Sequence, residues 1–342
     1  MVKDDLIIYD YDNQIIIDNK DKEILYELST DARQPNSKIG KKVNLSKQSV
    51  AKRIEILEKT GVITNYFISI NTLNTPIDYA LLIKLNHNLT DEEIQNKIFQ
   101  VGDISAIWWC LPNYDLKIII TTPDANELNN KVNKITEILG HYIKKKTIIK
   151  YLNYVYIFNK SYLINKNHET SIISKNLPLK LDSNEIKLIR ELFNNARIKI
   201  TELSKIVNLS PETVSHKIKT LIKKEIISKP SIEINLTKIG YILIELLFSV
   251  NGNIEIIEKK ILKFCRENNN VTILCKIFGD YNYIIQIELE NFNKLINIIN
   301  SMKKELGKEL DNYIINITYK GVISRTNRKN RIKSVVEYFS RN

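Results

Sequence analysis

A chain of 342 residues that is 43% apolar is long enough for several small domains and apolar enough to bury their cores, which excludes a disordered tail. It carries 51 Lys and Arg against 39 Asp and Glu, and the net charge of +12 favours a polyanionic partner. Three cysteines (Cys110, Cys265 and Cys275) with no CxxC spacing exclude a disulfide framework and a zinc site, so no cofactor or metal is expected. The N-terminus Met1-Val2-Lys3-Asp4-Asp5 is acidic, so no signal peptide is visible. The longest apolar run, 239–250, holds Glu245, and it falls short of the roughly 20 residues that cross a bilayer. A cytoplasmic protein without a membrane partner is the expectation.

Residues 1–17 alternate loosely and read as an arm or an edge strand. Asp18 is an N-cap candidate followed by Asp21, whose charge suits the helix dipole, and Ile24, Leu25 and Leu28 give that helix its buried face. Ala32-Arg33 ends it, and Ser37 is expected to cap the next helix, with Ile39 and Val43 inward. Asn44-Leu45-Ser46-Lys47-Gln48-Ser49 then reads as the turn and second helix of a helix-turn-helix, with Ser46 as N-cap and Val50, Ile54 and Leu57 as the inward stripe. That stripe leaves Gln48, Ser49, Lys52 and Arg53 facing out, the shape of a short basic helix that enters a major groove.

The period then changes. Strands are expected at 66–70 and 79–85, and Thr90-Asp91-Glu92-Glu93 is a capping box with Leu89 and Ile94 as a hydrophobic staple. Strands follow at 105–111 and 116–121, then a helix opened by Thr122-Pro123 with Leu128, Val132, Ile135 and Leu139 inward, then a strand to Phe158. The order βαββαβ is the split, ferredoxin-like arrangement. Trp108 and Trp109 are adjacent on a strand and must face opposite sides, one into a core and the other toward a sheet–sheet interface or a ligand pocket.

A polar connector occupies 159–180, and the first unit then returns at Asp182, 164 positions after Asp18 and without a gap as far as Ile63 and Ile227. An ungapped internal match of this length indicates duplication. The second turn, Asn208-Leu209-Ser210-Pro211-Glu212-Thr213, sets Pro211 at the first helical position, where its missing N–H costs nothing. Segments 37–65 and 197–229 carry seven Lys/Arg against two Glu and eight against three, so most of the excess charge sits on these two units. The second βαββαβ set is read as strand 239–250, a helix with Ile257, Ile261 and Phe264, strands 271–277 and 283–289, a helix with Phe292, Leu295, Ile299 and Met302 inward, and strand 313–323. Arg325, Arg328 and Lys329 begin a basic tail.

These parts resemble the Lrp/AsnC, or feast/famine, family of transcriptional regulators. The pattern is carried by Asp18, Asp21, Ala32-Arg33, Leu45-Ser46, Val50, Arg53-Ile54, Leu57-Glu58, Gly61-Val62-Ile63 and Tyr66 in the first unit. The second unit keeps Asp182, Ala196-Arg197, Leu209-Ser210, Val214, Ile218 and Leu221 but has Lys217 for the arginine and Glu225 for the glycine. The effector-domain signature Gly-x-Tyr-Asp stands as Gly279-Asp280-Tyr281-Asn282 in the second half and as Pro112-Asn113-Tyr114-Asp115 in the first. The resemblance implies an α+β chain of two winged helix-turn-helix units, 18–65 and 181–229, each followed by a ferredoxin-like effector-binding (RAM) domain, 66–158 and 230–323. It also implies pairing of the two RAM domains within the chain, further homo-oligomers, and an amino-acid effector touching Tyr114, Asp115, Gly279, Tyr281 and Asn282.

Double-stranded DNA is the expected partner. Lys52, Arg53, Lys217 and Lys219 are placed on phosphates, and Lys47, Gln48, Ser49, Thr213 and His216 on bases, with Ser46, Ser210 and Glu212 at the helix starts. The four histidines show no ligand spacing, and no nucleophile–base pair stands out, so no catalytic residue is expected. Two other readings stand beside a DNA-binding regulator. One is an enzyme like the sirohaem decarboxylases, which share this two-part plan; the other is a partner subunit that no longer binds DNA.

Overall fold

The computed structural model describes residues 6–70, 77–86, 89–102, 104–122, 124–165, 170–172 and 181–324. The first half runs β1 (Leu6–Tyr9), α1 (Asn19–Thr30), α2 (Asn36–Val43), α3 (Lys47–Lys59), β2 (Ile63–Phe67), β3 (Ile77–Leu85), α4 (Asp91–Phe99), β4 (Ile104–Pro112), β5 (Leu116–Thr122), α5 (Ala125–Leu139) and β6 (Ile143–Phe158). The second runs β7 (Thr170–Ile172), α6 (Ser183–Asn194), α7 (Ile200–Val207), α8 (Pro211–Lys223), β8 (Ser231–Ile234), β9 (Ile242–Val250), α9 (Ile254–Glu267), β10 (Val271–Phe278), β11 (Tyr283–Leu289), α10 (Asn293–Leu306) and β12 (Leu310–Ser324). Both halves thus carry the same elements in the same order, and both show the α+β plan expected from the sequence.

Within each half the four long strands follow the split order, β6-β3-β5-β4 and β12-β9-β11-β10. The outer strands of one half then pair with those of the other, β6 with β10 and β12 with β4. The eight strands therefore close into a ring, which removes the edges that each half alone would expose. The closure is two-fold in register: Phe278 opposes Lys150 and Leu111 opposes Ile317, so each residue sits 167 positions from its counterpart. Pairing of the two RAM-like sheets is internal to the chain.

Alternation along the strands divides their side chains. The outer face packs under helices, with Trp109 and Ile118 against Val132 and Ile135 in the first half and Leu246 and Ile285 against Phe264 and Met302 in the second. The inner face fills part of the ring with Leu82, Ile149, Leu247, Cys275 and Ile284. Trp109 is buried under the helices, whereas Trp108 turns inward and lies over β12 at Gly321, where a Cβ would overlap its ring.

Several expectations are corrected. Of the two readings for the N-terminal segment, residues 6–9 take the edge strand, β1, added to β12, and the segment read as a polar connector contributes β7, added to β6 in the equivalent place. A short turn at Ser161–Leu163 also buries Tyr162 and Leu163 in the first helical core. α2 starts at Asn36 with Pro35 in the cap position, which leaves Ser37 inside the first turn. α5 is capped by Asp124, whose carboxylate accepts from the N–H groups of Asn126 and Glu127 at 2.8 and 2.9 Å. Phe292 precedes α10 and is 49% exposed, and the inward stripe is instead Leu295, Ile298, Met302 and Leu306. The tail after Ser324, Met1–Asp5, Pro123, His87 and His168 lie outside the described residues. Among the described residues no helix is long and apolar enough to cross a membrane.

Candidate nucleic-acid interface

The two helix-turn-helix units are built alike from local chemistry. Each turn passes through an asparagine in the left-handed region, Asn44 at φ 57° and Asn208 at φ 54°, a conformation Asn tolerates better than most residues. The α2 face at Gly40 lies against the Leu45 carbonyl; at the same place in the second unit Ser204 donates its hydroxyl to the Leu209 carbonyl at 2.6 Å. The Ser46 hydroxyl accepts from the N–H of Ser49 at 3.0 Å, and Ser210 accepts from that of Thr213 at 3.2 Å, so both serines are N-caps. Val50, Ile54 and Leu57 are buried on α3, as are Val214, Ile218 and Leu221 on α8.

That burial leaves Lys47, Gln48, Ser49 and Lys52 exposed on α3, and Glu212, Thr213, His216 and Lys219 exposed on α8. Arg53 and Lys217 are the exceptions. Arg53 pairs with Asp18 and Asp21 at 2.9 and 2.8 Å, and Lys217 pairs with Asp182 at 2.6 Å. Each clamps the recognition helix to the N-terminus of its own unit's first helix, a structural engagement that stands beside the phosphate role expected for them. Ser46 and Ser210 are likewise committed to capping, and the Ser49 hydroxyl lies 2.9 Å from that of Ser46. The carboxyl of Asp18 is held below its ordinary range by the Asp21 N–H and by Arg53.

What fixes the two units relative to each other was not legible in either alone. β2 and β8 form an antiparallel ribbon in which Phe67 opposes Ser231, the residue 164 positions later, which is the condition for a local two-fold axis. The wings are also exchanged. Ile68 packs in the core of α6, α7 and α8, while Ile232 and Ile234 pack in that of α1, α2 and α3. The family residues Ala32-Arg33 and Ala196-Arg197 join this interface. The Ala32 N–H donates to Pro230 and that of Ala196 to Tyr66, at 2.8 and 3.1 Å. Arg33 donates to the Ala196 carbonyl at 2.9 Å, and Arg197 reaches the Tyr66 hydroxyl and the Asn36 side chain at 2.9 and 2.8 Å. A two-fold axis turns one recognition helix into the other while keeping both directed the same way along it.

The signature loops lie elsewhere, and their side chains are committed to the fold. Tyr114 and Tyr281 are buried in the ring. Asp115 accepts from the N–H of Leu85 at 2.7 Å, and Asn282 accepts from that of Val250 at 2.9 Å, so Asp and Asn do the same work. Gly279, at φ 149°, sits where a Cβ would come within 3.0 Å of the Ile148 carbonyl. This geometry adds nothing to the expectation that these five residues hold an effector.

Between the ribbon and the ring lies a cavity of about 730 Å³. The ribbon residues Phe67 and Ile232 cover it, and Trp108, Lys117, Tyr151 and Glu245 line its ring side. Nothing in the helix-turn-helix motifs points to it. Its one sequence signal is an ionisable residue inside each of two apolar strands, Leu116-Lys117-Ile118 and Ile244-Glu245-Leu246.

Comparison with known proteins follows the same division. Residues 17–58 match the AsnC-type helix-turn-helix domain, and residues 181–228 match a winged helix-turn-helix DNA-binding model. The transcriptional regulator LrpA of Pyrococcus horikoshii is 31% identical over 127 residues, which span 35% of this chain and 89% of the relative. The regulator LysM of Sulfurisphaera tokodaii is 28% identical over 133 residues, 39% of this chain and 94% of the relative. Over nearly its whole length the chain is similar in fold to the siroheme decarboxylase NirDL, with a TM-score of 0.54 covering 94% of this chain and 99% of that one. Sequence identity there is 13%, so the likeness is one of fold.

Proposed function

The chain belongs to the Lrp/AsnC family, and from that premise we propose that it is a sequence-specific DNA-binding transcriptional regulator in which one chain supplies both recognition helices. The observation that carries this is the β2–β8 ribbon, whose local two-fold axis relates α3 to α8. Helix-turn-helix dimers read two half-sites about one turn of B-DNA apart, ~34 Å or a multiple, through this kind of symmetry. Exposed Lys47 and Gln48 on α3, and Thr213 and His216 on α8, are assigned to base edges, and Lys52 and Lys219 to phosphates. The two base-reading sets differ, so the operator is asymmetric. Selection of bound duplexes from random DNA tests this: one half-site rich in contacts and one degenerate half-site are expected, and a strictly palindromic consensus would contradict it.

A second reading, tetrapyrrole decarboxylation, has the whole-chain fold likeness to NirDL in its favour. The cavity speaks against it. A carboxylate-rich tetrapyrrole needs several uncommitted cations, yet Lys117 is paired with Glu245 and Lys160 with Glu288, which leaves Lys229 on the exposed side, and among the described residues no His or Arg lines the space. Absorbance titration with iron-sirohaem distinguishes the readings, since a bound, spectrally shifted tetrapyrrole would favour the enzyme. The third reading, a partner subunit without DNA binding, is separated by salt. Phosphate contacts make affinity fall steeply, by about 10³-fold between 50 and 200 mM salt for six or more neutralised phosphates.

A further inference from the structure

We propose that the cavity between the β2–β8 ribbon and the strand ring is a binding site for one net-neutral amphipathic small molecule, either zwitterionic or uncharged. The site is separate from the signature loops, none of whose residues lines it, and it does not depend on the DNA-binding reading.

Its floor is an ion pair made by both halves of the chain. Lys117 on β5 meets Glu245 on β9, with the two residues only 7% and 5% exposed, and the Lys117 ammonium lies 5.8 Å from the Trp108 ring. A second pair stands beside it, Lys160 with Glu288 at 2.9 Å, and Glu288 also accepts from Thr272 and Gln286 at 3.1 and 3.0 Å. Leu243, Ile273, Ile284 and Phe158 give the walls apolar surface. Burial pushes the Tyr151 hydroxyl well above its ordinary pKa and the Cys275 thiol to about 12, so both face the cavity as neutral groups.

Two features fix the class and number of the ligand. First, each cation of the floor is matched by a carboxylate, Lys117 by Glu245 and Lys160 by Glu288, while the other charged lining residues, Glu225, Lys229 and Glu233, stand on the ribbon side, where Glu225 and Lys229 are exposed to solvent. A ligand of net charge would leave one charge unmatched in a low-dielectric space, whereas a zwitterion exchanges partners with the Lys117–Glu245 pair and an uncharged ligand leaves it intact. Second, polarity breaks the two-fold symmetry. Ile83 opposes Leu116 as Phe248 opposes Tyr283, so Lys117 corresponds to Ile284 and Glu245 to Ala80. The polar floor exists once per chain, and one ligand is therefore expected rather than two. The volume of about 730 Å³ is that of a small-molecule site, within the usual range of roughly 300–1,000 Å³.

The test uses four probes sharing a biphenyl-propyl body: biphenylalanine, its analogues keeping only the amine or only the carboxylate, and the uncharged alcohol. Binding to the full chain is read from quenching of Trp108 fluorescence and from the melting temperature. The zwitterion and the alcohol are expected to bind about tenfold or more tighter than either charged probe. Glu245→Gln should move the preference to the carboxylate probe, and Lys117→Met should move it to the amine. Ile284→Trp, which fills the space without touching the pair, should abolish binding of all four. Failure of both net-neutral probes to bind the unaltered chain, equal binding of all four, or binding that survives Ile284→Trp would overturn the proposal.

Discussion

The two helix-turn-helix units carry the same three helices at a constant offset, yet they differ where each meets solvent. The first opens its recognition helix on Lys47 and Gln48, and the second on Pro211 and Glu212. The first turns after that helix at Gly61 with φ 74°, and the second makes the same turn with Glu225 at φ 57°. The clamp survives in both but loosens, from Arg53 bridging Asp18 and Asp21 at 2.9 and 2.8 Å to Lys217 on Asp182 at 2.6 Å with Glu185 only at 4.0 Å. Duplication has thus preserved what holds a unit together while its outward face diverged, and the second copy tolerates local strain that the first avoids.

The largest test of that comparison is in the cores. Leu28 and Leu192 are equivalent, and both are fully buried. Each replaced by Ala should cost about 2–5 kcal/mol in urea unfolding. Because the wings are exchanged, both variants should unfold in one transition; a separate early transition for either unit would break the account. Next comes the outward face. Lys47→Ala with Gln48→Ala should weaken DNA binding by about 1–3 kcal/mol per lost base contact, measured by fluorescence anisotropy. Glu212→Ala should leave affinity unchanged or raise it, and equal losses from both helices would show that they read DNA alike.

Smaller again is the turn. Glu225→Gly should stabilise by about 1 kcal/mol, and Gly61→Glu should destabilise by a similar amount, since a side chain in the left-handed region costs about that much. Opposite signs are the prediction, and matching signs would remove strain as the distinction. The smallest effect is in pH. Asp18 is held below its ordinary pKa by the Asp21 N–H and then Arg53. Asp182 is also lowered: desolvation, its largest single influence, raises it but is outweighed by Lys217 and the backbone N–H groups of Glu185 and Asn184 together. A carboxyl lowered on folding stabilises the chain above its unfolded pKa of about 4 and loses that contribution as pH falls through the folded value. Melting temperature should therefore decline below about pH 4, and Asp18→Asn should flatten part of that decline; an unchanged acid limb would count against the clamp.

Much of this was legible because it is local. Caps at Asp18, Ser46, Thr90 and Ser210 are set by neighbours within a turn, and the stripes at Leu128, Val132, Ile135 and Leu139 by helical spacing. Ser37 does not cap α2 because Pro35 already ends the extended segment, so the helix begins two residues sooner than a Ser37 cap would start it. The roles of Arg33, Arg53, Arg197 and Lys217 were hidden, since an arginine reads as a surface cation until its carboxylate or carbonyl partner is known. β1 and β7 were hard to read because they are four and three residues long and depend on pairing with β12 and β6. The cavity floor joins residues 128 positions apart, which no periodicity encodes.

The most direct measurement is a hydroxyl-radical footprint of one chain on a selected duplex. Two protected patches on one face of the DNA, about one helical turn (~34 Å) or a multiple apart and unequal in strength, are the predicted result. A single patch, or none at low salt, would contradict a symmetric ribbon that aims both recognition helices at one double helix.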